Sequence, residues 1–318
     1  MGGGGNWEFE MYRNNRTNSF VEEGVLHLQP SLTQDAIGDA ALHGGDVNIW
    51  GSNPADSCTS NAFYGCERNA AYGNIINPVM SARVRSVNSF GFTYGRVEIN
   101  AKLPKGDMIW PAMWLLPVDN EYGNWPASGE IDIMESRGSD PSTCAAGGHN
   151  AFGSTLHWGV NWDQNNYFRT TEQYVHPTSL ADDFHVYGLL WTEDRLITYI
   201  DDESNVVLDV DFTQESFFQR GECGTQDNPW RGEPNSAPFN RNFYLIFNVA
   251  VGGVNGYFPD NDCNKPYSDM DGSAVNTFWN AKDQWFPSWN YPETTDAAMK
   301  IDSVRVWSLD GETSEFLQ

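Results

Sequence analysis

The chain has 318 residues and carries 18 basic against 43 acidic side chains, which gives a formal net charge of −25. This charge excludes electrostatic attraction to nucleic acid or to an anionic membrane, so neither is expected as a partner. The sequence holds no run of about 18 apolar residues, so no segment is long enough to span a membrane as a helix.

Short segments with strand character follow one another along the chain, separated by Gly, Asn, Asp and Pro. Several alternate polar and apolar side chains, the period of a strand with one buried face. Helical periodicity is limited to 271–283 and a turn at 214–219. The pattern predicts an all-β antiparallel sandwich. The predicted strands are 24–28, 80–87, 95–103, 184–191, 196–201, 206–210, 242–251 and 299–308.

The domain organisation is expected to be simple. Residues 1–5, a run of four glycines after Met1, are interpreted as a junction left by cloning or trimming. No repeat, linker or second domain is visible, so 6–318 is predicted to be one domain. Two long loops rich in Gly, Asn and Pro, at 139–152 and 221–238, are expected to shape a binding site.

Three carboxylates stand at positions i, i+2 and i+5 of one apolar segment: Glu130, Asp132 and Glu135. On a regular strand the third would point away from the first two. A β-bulge at about Ile133–Met134 would return it to their face. Close carboxylates repel, so at least one should keep its proton near neutral pH. A nucleophile, a protonated acid and a carboxylate between them are what retaining glycoside hydrolysis requires.

Tryptophans surround this segment. Trp110 and Trp114 are four residues apart and would share a strand face, and Trp125 lies five residues before Glu130. Flat apolar rings with a polar N–H suit the faces and hydroxyls of sugars, so all three are candidate substrate-binding residues. Core packing is an equally good reading of Trp114.

These segments together resemble the laminarinase type of family 16 glycoside hydrolases, and most closely its animal branch, which includes the β-1,3-glucan recognition proteins of innate immunity. The resemblance implies a β-jelly roll of two curved antiparallel sheets with a substrate cleft on the concave face. The matching segments are CTS at 58–60, GC at 65–66, SAR at 81–83, YGRVE at 94–98, AKLP at 101–104, WPAMWLLP at 110–117, WPASGEIDIMES at 125–136, STLHWG at 154–159, FH at 184–185, WTED at 191–194, FNVAVGG at 247–253 and IDSVRVW at 301–307.

The resemblance also implies roles. Glu130 would be the nucleophile and Glu135 the general acid and then base, with Asp132 tuning their protonation. Beyond these acids, it marks further residues as parts of the cleft that bind sugar or an acid. These are His157, Arg83 and Asn248.

A structural calcium is common in the resembled family, and hard oxygen ligands would hold it. Glu8 or Glu10 near the start and Asp302 in the last strand are the candidate ligands, although acids on a solvated surface are at least as good a reading. Hydrolysis itself is expected to need no cofactor.

The five cysteines suggest disulfides and therefore a secreted protein. Cys58 and Cys66 match a paired position in the resembled family. Cys223 with Cys263 is the second predicted pair, which leaves Cys144 as the odd thiol. Sequence alone does not fix this connectivity.

The sequence therefore predicts a secreted, monomeric, retaining endo-β-1,3-glucanase whose partner is a β-1,3-glucan polysaccharide or oligosaccharide. A glucan recognition protein without catalysis is the main alternative, but such relatives lose the catalytic glutamates. A mixed-linkage β-glucan or galactan hydrolase of the same family is the other. The longer acid spacing argues against the mixed-linkage type, and the shortage of basic residues argues against an anionic galactan.

Overall fold

The computed structural model of this protein describes residues 5–53, 58, 61–71, 73–309 and 313–315. The predicted junction at 1–5 lies outside the described residues apart from Gly5, as do positions 59–60 of the CTS motif. Within the described ranges, no helix is long and apolar enough to cross a membrane.

Short strands dominate, and the helices are brief. The helices are α1 (Thr33–Ile37), α2 (Asp39–Gly44), α3 (Phe217–Arg220), α4 (Ala274–Asn280) and α5 (Lys282–Trp285), with 3₁₀ turns at Ala62–Tyr64, Trp162–Gln164, Tyr167–Arg169 and Phe286–Trp289. The strands are β1 (Glu10–Tyr12), β2 (Ser19–Glu22), β3 (Val25–Leu28), β4 (Ser31–Leu32), β5 (Asp46–Asn48), β6 (Glu67–Asn69), β7 (Val79–Ser81), β8 (Arg83–Arg85), β9 (Gly95–Lys102), β10 (Ile109–Pro117), β11 (Glu130–Ser136), β12 (Ala151–His157), β13 (Thr171–Val175), β14 (His185–Trp191), β15 (Arg195–Ile200), β16 (Asp202–Asp211), β17 (Phe243–Val251), β18 (Met299–Trp307) and β19 (Thr313–Glu315).

Two large antiparallel sheets form the body of the protein. The inner sheet has the order β13-β12-β11-β10-β17-β8. The outer sheet has the order β16-β15-β14-β9-β18-β3-β2, with β19 on β18. A small sheet β1-β7-β4, in which β1 and β7 are parallel, and the pair β5-β6 complete the fold. The predicted all-β antiparallel sandwich is confirmed.

Alternation of side chains along each strand creates the core. In the inner sheet, Met113 and Ile131 are fully buried, and in the outer sheet so are Ile99 and Leu189. All four belong to one apolar cluster. Fully burying such a side chain contributes roughly 1.5–3 kcal/mol, so this shared layer fixes which face of each strand looks outward. The opposite face of the inner sheet is thereby free to carry polar side chains.

The predicted strand 80–87 is in fact two strands in different sheets. After Ser81 the chain leaves the small sheet, and from Arg83 it joins β17 in the inner sheet. Ser81 Oγ donates a hydrogen bond to the carbonyl of Val249 at 2.6 Å, which holds the crossing point against β17. Strand propensity alone cannot show such a change of partner.

The disulfide prediction is half right. Cys58–Cys66 is present. The predicted pair of Cys223 with Cys263 is wrong, because Cys263 is bonded to Cys144, 119 residues away, and Cys223 is the buried free thiol among the described residues. The neighbouring Asp262 carboxylate accepts the backbone N–H groups of residues 145 and 146, at 2.8 Å each. These bonds hold together two loops that are far apart in the sequence.

Candidate active site

The three predicted acids lie on one face of β11 because of a bulge. Glu130 pairs with His157 and Glu135 with Gly153 on β12, while Ile133 and Met134 together oppose a single residue, Ser154. This is the extra residue that the i, i+2, i+5 spacing required. The Ser154 hydroxyl donates to the Ile133 carbonyl at 2.7 Å, so the bulge leaves that group satisfied.

The chain enters β11 through a glycine. Gly129 has φ +84°, a backbone conformation that other residues rarely adopt. A Cβ there would also lie 3.0 Å from the ring of Phe239 and 3.3 Å from that of Phe243. The close approach of these core rings fixes where the strand begins and hence the direction in which Glu130 points.

Each acid has its own hydrogen-bond or ion-pair partner. The indole N–H of Trp125 donates to Glu130 Oε2. The indole N–H of Trp110 donates to Glu135 Oε1 at 2.9 Å. Asp132, only 2% exposed, has its Oδ2 3.2 Å from His157 Nε2. Three carboxylates on one face therefore have three different environments.

These environments raise the pKa values of Asp132, Glu135 and His157 and so favour their protonated forms. Burial, followed by the charges of Glu130 and Glu135, raises the pKa of Asp132 well above its usual range. Burial also raises the pKa of Glu135, although His157 and the Trp110 N–H oppose the rise. Burial lowers the pKa of His157, but the Asp132 bond and the surrounding acids outweigh it and raise that pKa to about 9. A carboxyl with a raised pKa, beside one in a different setting, is the arrangement that acid–base catalysis uses.

His157 is fixed on its other side as well. Its Nδ1 lies 2.7 Å from Asn165 Nδ2, and its ring lies between those of Trp125 and Tyr167, with centroid distances of 5.7 and 5.3 Å. Trp125 is 42% exposed and Tyr167 is 45% exposed, so both rings face solvent beside the acids. They form an open aromatic edge where the C–H face of a sugar could stack.

A second polar cluster extends from the acids across the inner sheet. The half-buried Trp114 donates its indole N–H to Asn248 Oδ1 at 2.7 Å, and Asn248 Nδ2 donates to the hydroxyl of Tyr12 at 3.0 Å. The guanidinium of Arg83 lies 4.6 Å from the centre of the Trp114 ring. The structure thus brings three predicted substrate residues, Arg83, Trp114 and Asn248, into one group.

The expected calcium ligands each accept a hydrogen bond from within the protein. Glu8 Oε2 accepts the backbone N–H of Asn6 at 2.7 Å, and Asp302 accepts the amide N–H of Asn100 at 3.0 Å on the outer sheet. Among the described residues, neither Glu8 nor Asp302 belongs to a group of three or more candidate ligands. Glu10 is buried, and it accepts the backbone N–H of Val251 at 2.8 Å. Calcium stays a prediction.

Sequence reasoning missed the aromatic support of Glu135. The ring of Tyr257 stacks on Trp110 with a centroid distance of 3.7 Å and an interplanar angle of 7°. Arg137 lies 4.1 Å above the Tyr257 ring and donates to its backbone carbonyl at 2.7 Å through Nε. Trp110 itself is 6% exposed, so it positions Glu135 more than it offers a platform. No local signal in the 255–260 loop points to this contact.

With this geometry in view, comparison with known proteins identifies the family. The model of the glycosyl hydrolases family 16 matches residues 55–240, and the chain belongs to that family. Solved structures agree on the jelly-roll fold: the laminarinase catalytic domain from Thermotoga maritima MSB8 has a TM-score of 0.56 at 24% identity, over 96% of this chain and 84% of that one. The resemblance seen in the sequence is confirmed.

Two curated relatives carry different descriptions. A beta-1,3-glucan-binding protein of Penaeus monodon is 47% identical, over 98% of this chain and 85% of its own length. Glucan endo-1,3-beta-glucosidase A1 of Niallia circulans is 32% identical over 79% of this chain, which spans 29% of that enzyme. The family therefore includes both a protein named for binding and one named for cutting β-1,3-glucan.

Proposed function

We propose that this protein is a retaining endo-β-1,3-glucanase that hydrolyses laminarin-like β-glucans. The observation that carries the proposal is the set of three acids on one strand face, each with a different partner: Trp125 on Glu130, His157 on Asp132 and Trp110 on Glu135. The relative named as a glucan endo-1,3-beta-glucosidase supports the choice of reaction.

In the proposed reaction, Glu130 attacks the anomeric carbon while Glu135 gives its proton to the departing glycosidic oxygen. Water then breaks the glycosyl–Glu130 bond as Glu135 takes a proton back, so the anomeric configuration is retained. The raised pKa of Glu135 suits the first step. Asp132, paired with His157, would keep a proton between the two glutamates and reduce their repulsion.

Sugar binding is proposed for the groups on either side of the acids. Trp125 offers an exposed ring next to Glu130. Further along the inner sheet Arg83 provides donors and Trp114 an aromatic surface, while the buried Asn248 holds the Trp114 indole N–H in place. Such mixtures of flat apolar area and polar groups recognise carbohydrates. A formal charge of −25 is compatible with a neutral polymer and not with an anionic one.

Recognition of β-1,3-glucan without hydrolysis is the second candidate, and the relative from Penaeus monodon that is named as a glucan-binding protein favours it. The retained acids favour the enzyme. Secretion is proposed with either function, because the two disulfides need an oxidising compartment. A monomeric state stays a prediction.

Reducing-sugar release from laminarin, with product sizes followed over time, tests the proposal. We expect early mixed oligosaccharides from the wild type, and loss of turnover with retained laminarin binding in Glu130→Gln. Glu172→Gln, on the exposed β13, is the matched control and should keep full activity. Binding without any release in the wild type would favour the recognition protein. Release from agar or mixed-linkage glucan alone would move the chain to another family 16 specificity.

A further inference from the structure

Two histidines and an aspartate lie close together on elements other than β11, which carries the three acids. His176 directly follows β13 at the edge of the inner sheet, His185 begins β14 of the outer sheet, and Asp201 lies in the turn between β15 and β16. One ligand atom from each of the three lies within 4.8 Å of the others. None of them takes part in the proposed hydrolysis.

The three side chains are already oriented by their neighbours. His185 Nδ1 lies 2.9 Å from Asp201 Oδ2, and the other oxygen of Asp201 accepts the backbone N–H of Val186 at 3.0 Å. His176 Nδ1 lies 3.0 Å from the carbonyl oxygen of Thr178 and 3.2 Å from the backbone nitrogen of the same residue, so either tautomer of His176 has a partner there. Zinc would select the tautomer whose Nδ1–H donates to the carbonyl, because its Nε2 keeps a free lone pair, as in most histidines that bind metals.

We propose that His176, His185 and Asp201 form a site for Zn²⁺ that joins the two sheets at this edge. Two imidazoles and one carboxylate are ligands that suit zinc and not calcium or magnesium, which prefer oxygen alone. Ligands about 2.0–2.1 Å from one ion, at angles of 90–109°, lie roughly 2.9–3.3 Å apart. The His185–Asp201 spacing of 2.9 Å is in this range, and His176, whose ligand atom lies within 4.8 Å of the other two, would turn towards the ion. Water would complete the coordination.

The consequence is a stabilising link between strands that are otherwise in separate sheets. β13 is the last strand of the inner sheet and shares no ladder with β14 or β15. An ion held by all three residues binds the folded state and not the unfolded chain, so it raises the melting temperature. For a chain of this size, free zinc at about 100 times its dissociation constant should raise Tm by roughly 4 °C.

The test uses the full chain after removal of metals with EDTA. Bound zinc per chain is counted after dialysis, and Tm is measured with zinc, calcium or magnesium chloride. We expect zinc alone to raise Tm, and His176→Ala to lose one bound zinc together with the part of the rise that this ion causes. His43→Ala is the matched control, because His43 is an exposed histidine beside a single acid, Asp39, and it should change neither quantity.

Two further outcomes decide the matter. Glu130, Asp132 and His157 also lie close enough to share an ion, and zinc bound there would survive in His176→Ala. A fall from two bound ions to one therefore supports the proposal, whereas unchanged zinc binding in His176→Ala overturns it. An equal rise in Tm with calcium also overturns it. His185→Asn, which alters a second ligand, should reproduce the loss if His176→Ala folds poorly.

Discussion

Replacing Trp110 by Phe should change the protonation of Glu135 and leave its surroundings packed. The phenyl ring can keep the stack on Tyr257, but the indole N–H that donates to Glu135 Oε1 at 2.9 Å is lost. That bond lowers the pKa of Glu135, so its removal raises the pKa further above the ordinary value. A hydrogen bond to a charged group contributes about 1.5–3 kcal/mol, and 1.36 kcal/mol corresponds to a pKa change of about 1. We therefore expect the ionised carboxylate of Glu135 to lose about 1.5–3 kcal/mol of stabilisation relative to its protonated form.

The assay is the pH dependence of kcat/KM on laminarin, whose basic limb reports the general acid of the free enzyme. As the proposed general acid, Glu135 would act in its protonated form, so the limb should move to higher pH in Trp110→Phe. Trp114→Phe, in the same strand as Trp110, is the matched control. It removes the indole N–H that donates to Asn248 Oδ1 at 2.7 Å, and this bond involves no carboxylate. An unchanged limb in Trp110→Phe, or an equal change in both variants, would refute the reasoning. Carbon-detected NMR titration of the Glu135 carboxyl measures the pKa of this group directly, without the need for turnover.

The remaining predictions concern stability. Burial, with the charge of Glu8 adding to it, raises the pKa of Glu10 to about 8, so the folded protein holds this proton over a range where the unfolded chain releases it. Stability from this group is present below about pH 4.5 and is lost as the pH rises towards 8. The Tm of Glu10→Gln relative to the wild type should therefore increase between pH 5 and 9 in calorimetry; a pH-independent difference contradicts this. Replacing Cys144 and Cys263 by Ser should lower the free energy of unfolding by about 5 kcal/mol. Replacing Cys58 and Cys66, which are eight residues apart, should lower it by about 2.5 kcal/mol, because a shorter loop restricts the unfolded chain less. Urea unfolding measures both, and equal losses would contradict the loop-length argument.

The bulge on β11 was predictable because the proposed function needs three acids on one face, and strand geometry allows this only with an extra residue. Three acids cannot share a strand face at i, i+2 and i+5 unless one residue is inserted. The bulge lies at Ile133 and Met134, opposite Ser154, as the spacing required. Local pattern is sufficient wherever neighbouring residues of one strand set the constraint, as on β9, where side chains alternate along Gly95–Lys102.

What the sequence could not show depends on contacts between distant segments. Cys144 finds Cys263 because two loops pack together around Asp262, and no spacing rule contains that information. The stack of Tyr257 under Trp110 is of the same kind. The disulfide joins the loops that follow β11 and β17, and the stack joins the loop after β17 to β10, the strand between β11 and β17 in the inner sheet. Knowledge of the strand order, and not a better propensity scale, would have brought them into view.

The energetics of the acid cluster bear on the choice between enzyme and recognition protein. Burying Asp132 between two glutamates raises its pKa and destabilises its ionised form. A receptor that only binds a neutral glucan gains nothing from this repulsion, since an amide at the same position would donate and accept hydrogen bonds without it. An enzyme uses this repulsion, because it displaces pKa values, and groups with displaced pKa values are the ones that transfer protons at neutral pH. The retention of all three acids, each with its own partner in Trp125, His157 or Trp110, therefore argues for hydrolysis over recognition alone.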